Sequence, residues 1–401
     1  MLHGLLASLL CASLAAPAGA VFMRTEMDKL DTEHLFDSEY FLDLLSFRQP
    51  LEWSWAWDAA PLGYRINGAS LDRSDLWLDQ EVKLPKRLND WLAFDYRLEN
   101  RGDKDLVEFH QWLAFDFGPW RGFGFGLVGE PTFDKQDADI GLRLRQAAGP
   151  ATLRAGVLFP DFNFNERGTT GEAYARKPVT YTAGADLQTG TGRLSAALEL
   201  DMPLIREVPA SGRIYGYRRT RAALSWQRPS QGTTRGWRAA YAYEFKKEED
   251  RFSPATLANL AAHRKVHIVE GAAEGAFNER DRWEAGALSM FRGGLTDTFL
   301  PGQKDARHKR WELQPYARWR RATRPWAVTE TALFMSVGED YRIFPGVGPD
   351  KRDSLVEAKL GLGVDFLPSK SGRIGFYGTF DLDDADRHIW DGGNVRAMFF
   401  F

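Results

Sequence analysis

From about residue 61 to the C-terminus, apolar and polar side chains alternate along the chain with a period of two. In the stretch LVEAKLGLGVDF, Val356, Leu360 and Leu362 alternate with Glu357 and Lys359. Successive side chains of a β-strand point to opposite faces, so each such segment has one apolar face and one wet face. Because the pattern continues over most of the 401 residues, it predicts an all-β fold.

The alternating segments number eighteen, and turn sequences separate them. They occupy residues 61–69, 74–84, 90–99, 105–117, 121–129, 139–146, 151–159, 178–187, 192–202, 213–227, 235–246, 265–277, 281–292, 309–320, 325–337, 354–366, 372–382 and 393–401. Most are long enough to cross a bilayer as tilted strands, which takes about nine to eleven residues. A β-sandwich also alternates, but it would need shorter strands facing a shared core. The pattern predicts a transmembrane antiparallel up-and-down β-barrel of about 18 strands, or of about 16.

The connections between these segments alternate between short and long. Counted back from the C-terminus, they read DDADRHIWDGG (long), LPSKSG (short), GEDYRIFPGVGPDKRD (long) and RATRP (short). Bacterial outer-membrane barrels have tight turns on the periplasmic side and longer loops outside. The alternation therefore predicts an even number of strands and places both ends of the barrel in the periplasm.

The first twenty residues form an apolar run that ends in Ala18-Gly19-Ala20, the small-x-small pattern of a signal-peptide cleavage site. We predict a signal peptide over residues 1–20 and a mature start at Val21. The only cysteine, Cys11, lies within this run, so the predicted mature chain has neither disulfides nor a cysteine metal site. After residue 20, no apolar run approaches the roughly eighteen residues that a membrane helix requires.

Residues 21–60 are predicted to form a periplasmic N-terminal segment or a plug for the barrel. Up to about residue 50, helix-spaced apolar positions such as Leu30, Phe36 and Leu45 lie among acidic residues, which predicts a short amphipathic helix or plug. LEWSWAWD follows, and its alternating tryptophans fit either a strand or an aromatic anchor.

From about residue 61 to its end, the chain resembles a Gram-negative outer-membrane β-barrel, porin-like or alginate-exporter-like. Members of that class commonly close with an alternating apolar strand ending in Phe, which the barrel-assembly machinery recognises. Val395, Ala397, Phe399 and Phe401 match this pattern. The resemblance implies that residues 61–401 form a barrel in the cell outer membrane, in contact with its lipid and lipopolysaccharide. It also implies that the last strand pairs with the first and carries the assembly signal in these four residues.

The motifs in the chain do not predict an enzyme, a cofactor or a metal site. In GFGFGLVG, Gly124, Gly126 and Gly129 have dinucleotide-fingerprint spacing but lie inside a strand, with the neighbouring Phe side chains facing lipid. His263 and His267 would suit a metal only on one helix turn. The preceding SPATLANLAA predicts a short loop helix, and we interpret the two histidines as a solvated pair. A nucleophile elbow and HExxH are absent, and the net charge of −3 provides no positive field for nucleic acid.

The inward face predicted for the barrel carries many arginines, several of them at a spacing of two. The candidate lumen and solute-binding residues are Arg97, Arg143, Arg145, Arg154, Arg219, Arg221, Arg238, Arg318 and Arg320. On the lipid face each would cost about 2–4 kcal/mol at mid-bilayer, so they are expected inside. Rings of basic residues select anions in pores. The sequence leaves two interpretations open: arginines available to a solute, or arginines paired with carboxylates that lock the interior.

A barrel of this size is too wide for side chains to fill, which predicts an aqueous route. The predicted function is an outer-membrane channel for polar, in particular anionic, solutes or for a secreted polysaccharide. A constriction is expected from residues 160–177, 247–264 or 338–353, or from the N-terminal segment. The alternatives are a structural sleeve or assembly partner in an outer-membrane complex and, less favoured, a lipid-modifying enzyme.

Overall fold

The computed structural model describes most of the chain from residue 49 onward. The described ranges are 49–60, 62–71, 75–102, 107–130, 138–164, 166–167, 171–230, 234–253, 260–297, 306–343, 349–369, 371–383 and 389–400. The predicted signal peptide and the predicted helix before residue 50 lie outside these ranges. Within them, no helix is long and apolar enough to cross a membrane.

Eighteen antiparallel strands form one closed ring. They are β1 (Gly63–Leu71), β2 (Asp75–Arg87), β3 (Leu92–Gly102), β4 (Val107–Trp120), β5 (Phe123–Glu130), β6 (Asp139–Ala148), β7 (Ala151–Phe159), β10 (Thr180–Thr189), β11 (Gly192–Val208), β12 (Arg213–Arg228), β13 (Gly236–Phe252), β14 (Leu260–Ala276), β15 (Asp281–Asp297), β16 (Ala306–Arg324), β17 (Ala327–Ile343), β18 (Lys351–Ser369), β19 (Gly372–Asp381) and β20 (Trp390–Phe400). Each pairs with the next, and β7 pairs with β10. The ring closes where β20 pairs with β1, from Gly63 opposite Phe400 to Leu71 opposite Gly392. The predicted up-and-down barrel and its closure by the last strand are confirmed.

Two short strands stand outside the ring, in the connection between β7 and β10. β8 (Glu166–Arg167) pairs with β9 (Glu172–Arg176), and β9 lies against the far end of β11, next to a register shift between Asp201 and Leu204. The predicted long loop at 160–177 therefore contains a small hairpin at the end of the barrel remote from the short turns.

The two faces of the wall have opposite chemistry. Leu142 and Leu333 are 47% and 43% exposed on the outside, whereas Arg143 and Glu330 on the inside are 5% and 2% exposed. Phe125, in the glycine-rich stretch, is exposed on the outer face as predicted. In lipid no open sheet edge is tolerated, because its backbone N–H and C=O groups would lack hydrogen-bond partners. A closed ring with apolar side chains outward gives every strand these partners.

Strands β11 to β18 are longer than the sequence pattern indicates, with 16 to 19 residues each. They continue beyond the length that a bilayer requires, on the side of the longer loops. The predicted loop helix over SPATLANLAA is wrong at Leu260–Ala262, which open β14; the residues before them lie outside the described ranges. Both His263 and His267 are thus strand residues.

Helix α1 (Leu51–Ala59) precedes the first strand and lies inside the ring. The strand interpretation of LEWSWAWD is therefore wrong. At about 100° per residue, Trp53 and Trp57 share one helix face and Trp55 lies on the opposite face. All three are buried: Trp53 and Trp57 pack with Met398, while Trp55 packs in a cluster of apolar side chains that point inward. A helix enclosed on several sides can bury an alternating aromatic pattern that a strand would place on one face.

Candidate functional site

The nine candidate arginines all point into the barrel. Seven of them are buried: Arg97, Arg143, Arg154, Arg221, Arg238, Arg318 and Arg320. Arg145 and Arg219 are half-buried. Eight of the nine form an ion pair with a carboxylate within the described residues, and Arg145 also has an interaction partner.

Arg219 and Arg221, two candidate arginines at a spacing of two, pair with carboxylates on the neighbouring strands. Asp201 lies opposite Arg219 in the register of β11 and β12, and accepts a hydrogen bond from its Nε at 2.8 Å. Glu199, one rung away, accepts from the Nη2 of Arg219 at 3.0 Å, and Glu244 on β13 accepts from the Nε of Arg221 at 2.6 Å. Charge-assisted pairs of this geometry fix the side chains against the wall.

Arg143 on β6 and Arg154 on β7 also pair with carboxylates on other strands. Arg143 donates from Nε to Asp116 on β4 at 2.7 Å, past the bare backbone of Gly126 on β5. A Cβ at Gly126 would approach the Asp116 carboxylate to 2.3 Å, so the glycine makes room for the pair. Arg154, on β7, pairs with Asp186 on β10.

A buried ionic network joins four strands near the short-turn end of the ring. Arg396 on β20 lies 3.2 Å from the Asp365 carboxylate on β18 and donates to Glu330 on β17 at 2.5 Å. Arg320 on β16 lies 3.5 Å from Asp365. Arg318, also on β16, stacks over the Tyr316 ring at 5.7 Å. Asp365 lies on a strand distant in sequence from both Arg320 and Arg396, which is why the sequence alone could not pair them.

Helix α1 is bound to this network through Glu52. Its carboxylate lies 2.8 Å from Arg320, 3.3 Å from Arg282 and 3.4 Å from Arg373. Burial raises the pKa of Glu52, but the three guanidinium groups outweigh it and hold the pKa below its usual range. The helix also begins on the wall, because the Leu51 amide donates to a Glu284 carboxylate oxygen at 2.8 Å. The sequence patterns did not single out Glu52 as a functional residue.

The tryptophans of α1 contact cations as well as apolar side chains. Trp53 lies under Arg396 at 5.0 Å and Arg373 at 5.2 Å, measured to the ring centroid. Lys83 lies 4.3 Å from the Trp57 ring and donates to the Trp57 carbonyl oxygen at 3.1 Å. Cation–π contacts contribute about 0.5–2 kcal/mol each, the larger values when desolvated. The helix is therefore held by several independent contacts.

Two glycines of the wall allow α1 to lie this close. A Cβ at Gly63 would meet the Trp57 ring at 2.7 Å, and one at Gly236 would meet the Trp55 ring at 2.6 Å. Real Cβ atoms do not approach that closely, so both positions require glycine unless the helix shifts. Because β1 and β13 are on different arcs of the ring, the close contacts define the seat of the helix from two sides.

A cavity of about 320 Å³ lies against another arc of the inner wall, near the hairpin of β8 and β9. Its lining combines aromatic and charged side chains and includes Trp112, Tyr174, Glu199, Tyr217, Arg219 and Arg221. The Tyr174 hydroxyl donates to Asp161, and burial together with this hydrogen bond raises the pKa of Tyr174 to about 12. Described residues of the connection between β7 and β10, among them Pro160, Tyr174 and Val179, thus border the cavity, and a constricting role stays a prediction.

The terminal strand places its predicted signal residues as follows. Val395 is 48% exposed on the outer face, opposite Gly68 of β1, and Phe399 lies opposite Tyr64. Ala397 shares their parity along β20, and Phe401 lies outside the described residues. Recognition by the barrel-assembly machinery stays a prediction.

Within the described residues, no group of three or more His, Cys, Asp and Glu side chains is arranged to hold a metal ion. His267 instead contacts aromatic side chains: its Nδ1 lies 2.9 Å from the Tyr241 hydroxyl, and its ring lies 5.0 Å from that of Tyr243. These residues form part of the outer surface.

A closed ring of eighteen strands, apolar outside and charged inside, defines an outer-membrane β-barrel protein, and the outer membrane is its location. No protein-family model and no curated protein matches the chain. In overall fold it is similar to OmpT (in-vitro folded), an outer membrane protein of Vibrio cholerae, at 12% identity and a TM-score of 0.40, over 85% of this chain and 96% of that one.

Two further solved structures are similar in the same way. One is a bacterial polysaccharide outer membrane secretin, at 11% identity and a TM-score of 0.41, covering 85% of this chain and 98% of that one. The other is OccK11 (OpdR) of Pseudomonas aeruginosa, at 11% identity and a TM-score of 0.40, covering 84% and 93%. The likeness is one of overall fold alone.

Proposed function

We propose that the protein is a non-enzymatic channel that passes polar solutes across the outer membrane, with part of its lumen occupied by α1. The observation that carries this proposal is the inner wall, where buried Arg, Lys, Asp and Glu side chains line a ring of eighteen strands. A ring of this size encloses more space than inward side chains fill, so water enters it. Charged groups on the inner wall are then solvated or paired rather than exposed to lipid.

The contacts of α1 and the cavity fall on different arcs of the ring. Helix α1 contacts β1, β2, β13 to β17, β19 and β20. The cavity is lined by β4 to β7 and by β9 to β12. We infer that solutes pass along the cavity side, while α1 and the chain before it narrow the opposite side. In this proposal residues 21–60 act as the plug.

The pairing of the arginines bears on which solutes pass. Arg143, Arg219 and Arg221 each contact a carboxylate, so both signs of charge lie side by side on the wall. This arrangement supports passage of polar solutes in general and weak charge selectivity. Anion preference and polysaccharide export remain predictions, and they would need arginines that exchange a carboxylate for the solute.

Planar-bilayer recordings test the proposal. The wild-type protein is expected to give steady single-channel currents, with a reversal potential in a KCl gradient close to that of a weakly selective pore. The double variant E52Q/W53A, which loses the contacts of α1 with Arg320, Arg373 and Arg396, is expected to give a larger unit conductance. D250N, which removes a pair with Arg213 at the opposite rim, serves as the control.

Two results would contradict the proposal. Silence from both the wild type and E52Q/W53A, in protein whose barrel is folded, would favour the sleeve that encloses a partner and conducts nothing. An unchanged unit conductance in E52Q/W53A, with α1 shown to be displaced, would refute its role as the plug.

A further inference from the structure

A group of three cations lies on the outer face of the barrel, at the edge of its apolar surface. Lys265 on β14 and Arg307 and Lys309 on β16 are exposed. Their neighbours of opposite parity, Val266 and Arg310, are buried inside, which fixes the three as outward-facing. We refer to Lys265, Arg307 and Lys309 as the outer basic cluster.

The position of the cluster relative to the membrane follows from the aromatic residues on β16. Trp311 and Trp319 face outward with 42% and 43% exposure, and they are eight positions apart along the strand. At about 3.4 Å per residue that is about 27 Å along the strand. A tilt of about 40° reduces it to about 21 Å, near the height of the apolar band of such barrels. Lys309 is two residues beyond Trp311, on the side away from the short turns, and therefore lies at the headgroup level.

The register of the strands brings the cluster together. Lys265 lies opposite Gly293 of β15, and Gly293 lies opposite Lys309 of β16. The two lysines therefore occupy one rung, about 10 Å apart across two strand spacings. Between them Gly293 presents no side chain, and a Cβ there would meet only the His308 carbonyl oxygen, at 3.9 Å. Arg307 stands one rung further out on the same strand face. Together they form a shallow notch with cations on both sides.

Several other outward cations at this rim have carboxylate partners, whereas Arg218 lies over the Phe245 ring. Lys247 and Arg251 share Glu249, and Arg352 lies 2.7 Å from Glu339. Among the described residues, Lys265, Arg307 and Lys309 have no such partner. Three like charges within one notch repel one another unless an anion neutralises them. At the headgroup level, the anion that is present in large excess is the phosphate of a membrane lipid.

We propose that the outer basic cluster binds the phosphate of an anionic lipid in the outward-facing leaflet. The acyl chains then lie along the apolar outer face below Trp311, and the phosphate lies over Gly293 between the two lysines. The inference does not depend on the channel function, because it concerns the opposite face of the wall.

Native mass spectrometry of the full-length mature protein in detergent tests this site, with phosphatidylglycerol as the probe. The triple variant K265Q/R307Q/K309Q is expected to retain phosphatidylglycerol at least tenfold more weakly than the wild type. K86Q removes an exposed lysine at the short-turn end of β2 and is the control that should leave retention unchanged. Raised salt should weaken retention in the wild type, since exposed charges are screened.

The other outcomes overturn the proposal. Equal retention by the triple variant and the wild type would place the lipid elsewhere. Equal retention of zwitterionic phosphatidylcholine would show that the acyl chains alone determine binding. Displacement of phosphatidylglycerol by millimolar inorganic phosphate would identify a free-phosphate site instead. Because the three side chains are exposed, the variants are expected to fold, which cold- and heat-treated gel mobility checks directly.

Discussion

Replacing Glu52 by Gln tests whether one carboxylate holds α1 in its seat. The change keeps the size of the side chain but removes the charge that faces Arg282, Arg320 and Arg373. Hydrogen bonds to charged groups contribute about 1.5–3 kcal/mol each. Glu52 donates no proton and accepts from Arg320 and Arg373, and its side chain is a quarter exposed. We therefore expect α1 docking to weaken by about 2 kcal/mol, near the low end of that range.

A free-energy change of about 2 kcal/mol corresponds to a roughly thirtyfold larger undocked population. Thiol labelling can measure this population at Ser54, which is 2% exposed in the docked helix. The only native cysteine is Cys11 in the predicted signal peptide, so S54C introduces a single reporter. The labelling rate of S54C/E52Q is expected to exceed that of S54C alone by about thirtyfold, when labelling is slow relative to redocking.

The control for this experiment is S54C/D250N, which removes an ion pair at the opposite rim. It should label at the rate of S54C alone. Equal acceleration in both double variants would mean that the barrel loosens as a whole. An unchanged rate in S54C/E52Q would refute the reasoning, because it would show that the tryptophans hold the helix without the carboxylate.

Three further predictions concern Glu52 and the charged and glycine residues of the inner wall. Because the three arginines hold the pKa of Glu52 below its usual range, its contribution to docking is present above the ordinary Glu pKa of about 4.3 and is lost only as the pH falls below it. The thiolate is the reactive form of cysteine, so the S54C labelling rate is divided by that of a free thiol at the same pH; this ratio should be constant from neutral pH to about pH 5 and rise below that. R396M removes one of the two arginines that pair with both Glu330 and Asp365, and it should lower the free energy of unfolding by about 3 kcal/mol in denaturant titrations of vesicle-inserted protein. R213M, at a half-exposed pair, should change it by less than about 1 kcal/mol. G375A places a Cβ 2.2 Å from an Asp365 carboxylate oxygen and should lower the free energy of unfolding by about 1–3 kcal/mol in the same titration. G190A, whose Cβ would have nothing within 4 Å, should leave it unchanged. Equal unfolding midpoints for G375A and G190A would contradict the close packing at Gly375.

The fold was predictable because its signal is local. The alternation of apolar and polar residues within each strand indicates its two faces, as Val356 and Glu357 do on β18. The alternating loop lengths indicate how consecutive strands are ordered. The face that meets lipid outside the ring is apolar, and the face that meets water inside the ring is polar. The extension of β14 back to Leu260 was not predicted, because beyond the bilayer both faces of a strand meet water and the alternation disappears.

The site was less predictable, for two physical reasons. The inward direction of Arg320 follows from parity, but its partners Glu52 and Asp365 come from distant parts of the chain, and only the closed ring brings them together. The spacing of the tryptophans in α1 also allowed the strand interpretation, for another reason. A spacing of two looks like one face of a strand, whereas in a helix enclosed on several sides it distributes Trp53 and Trp55 to opposite walls.

The seat of α1 constrains the order in which this protein can be built. The cations around Trp53 belong to Arg320 on β16, Arg373 on β19 and Arg396 on β20, the last strand to be synthesised. The binding surface for a helix near the start of the chain is therefore incomplete until the far end of the chain has arrived. Once β20 has sealed against β1, a structured helix can reach that surface only through a mouth of the ring. Insertion of the helix and sealing of the seam are thus coupled events in biogenesis, and a defect in either should appear as a defect in both.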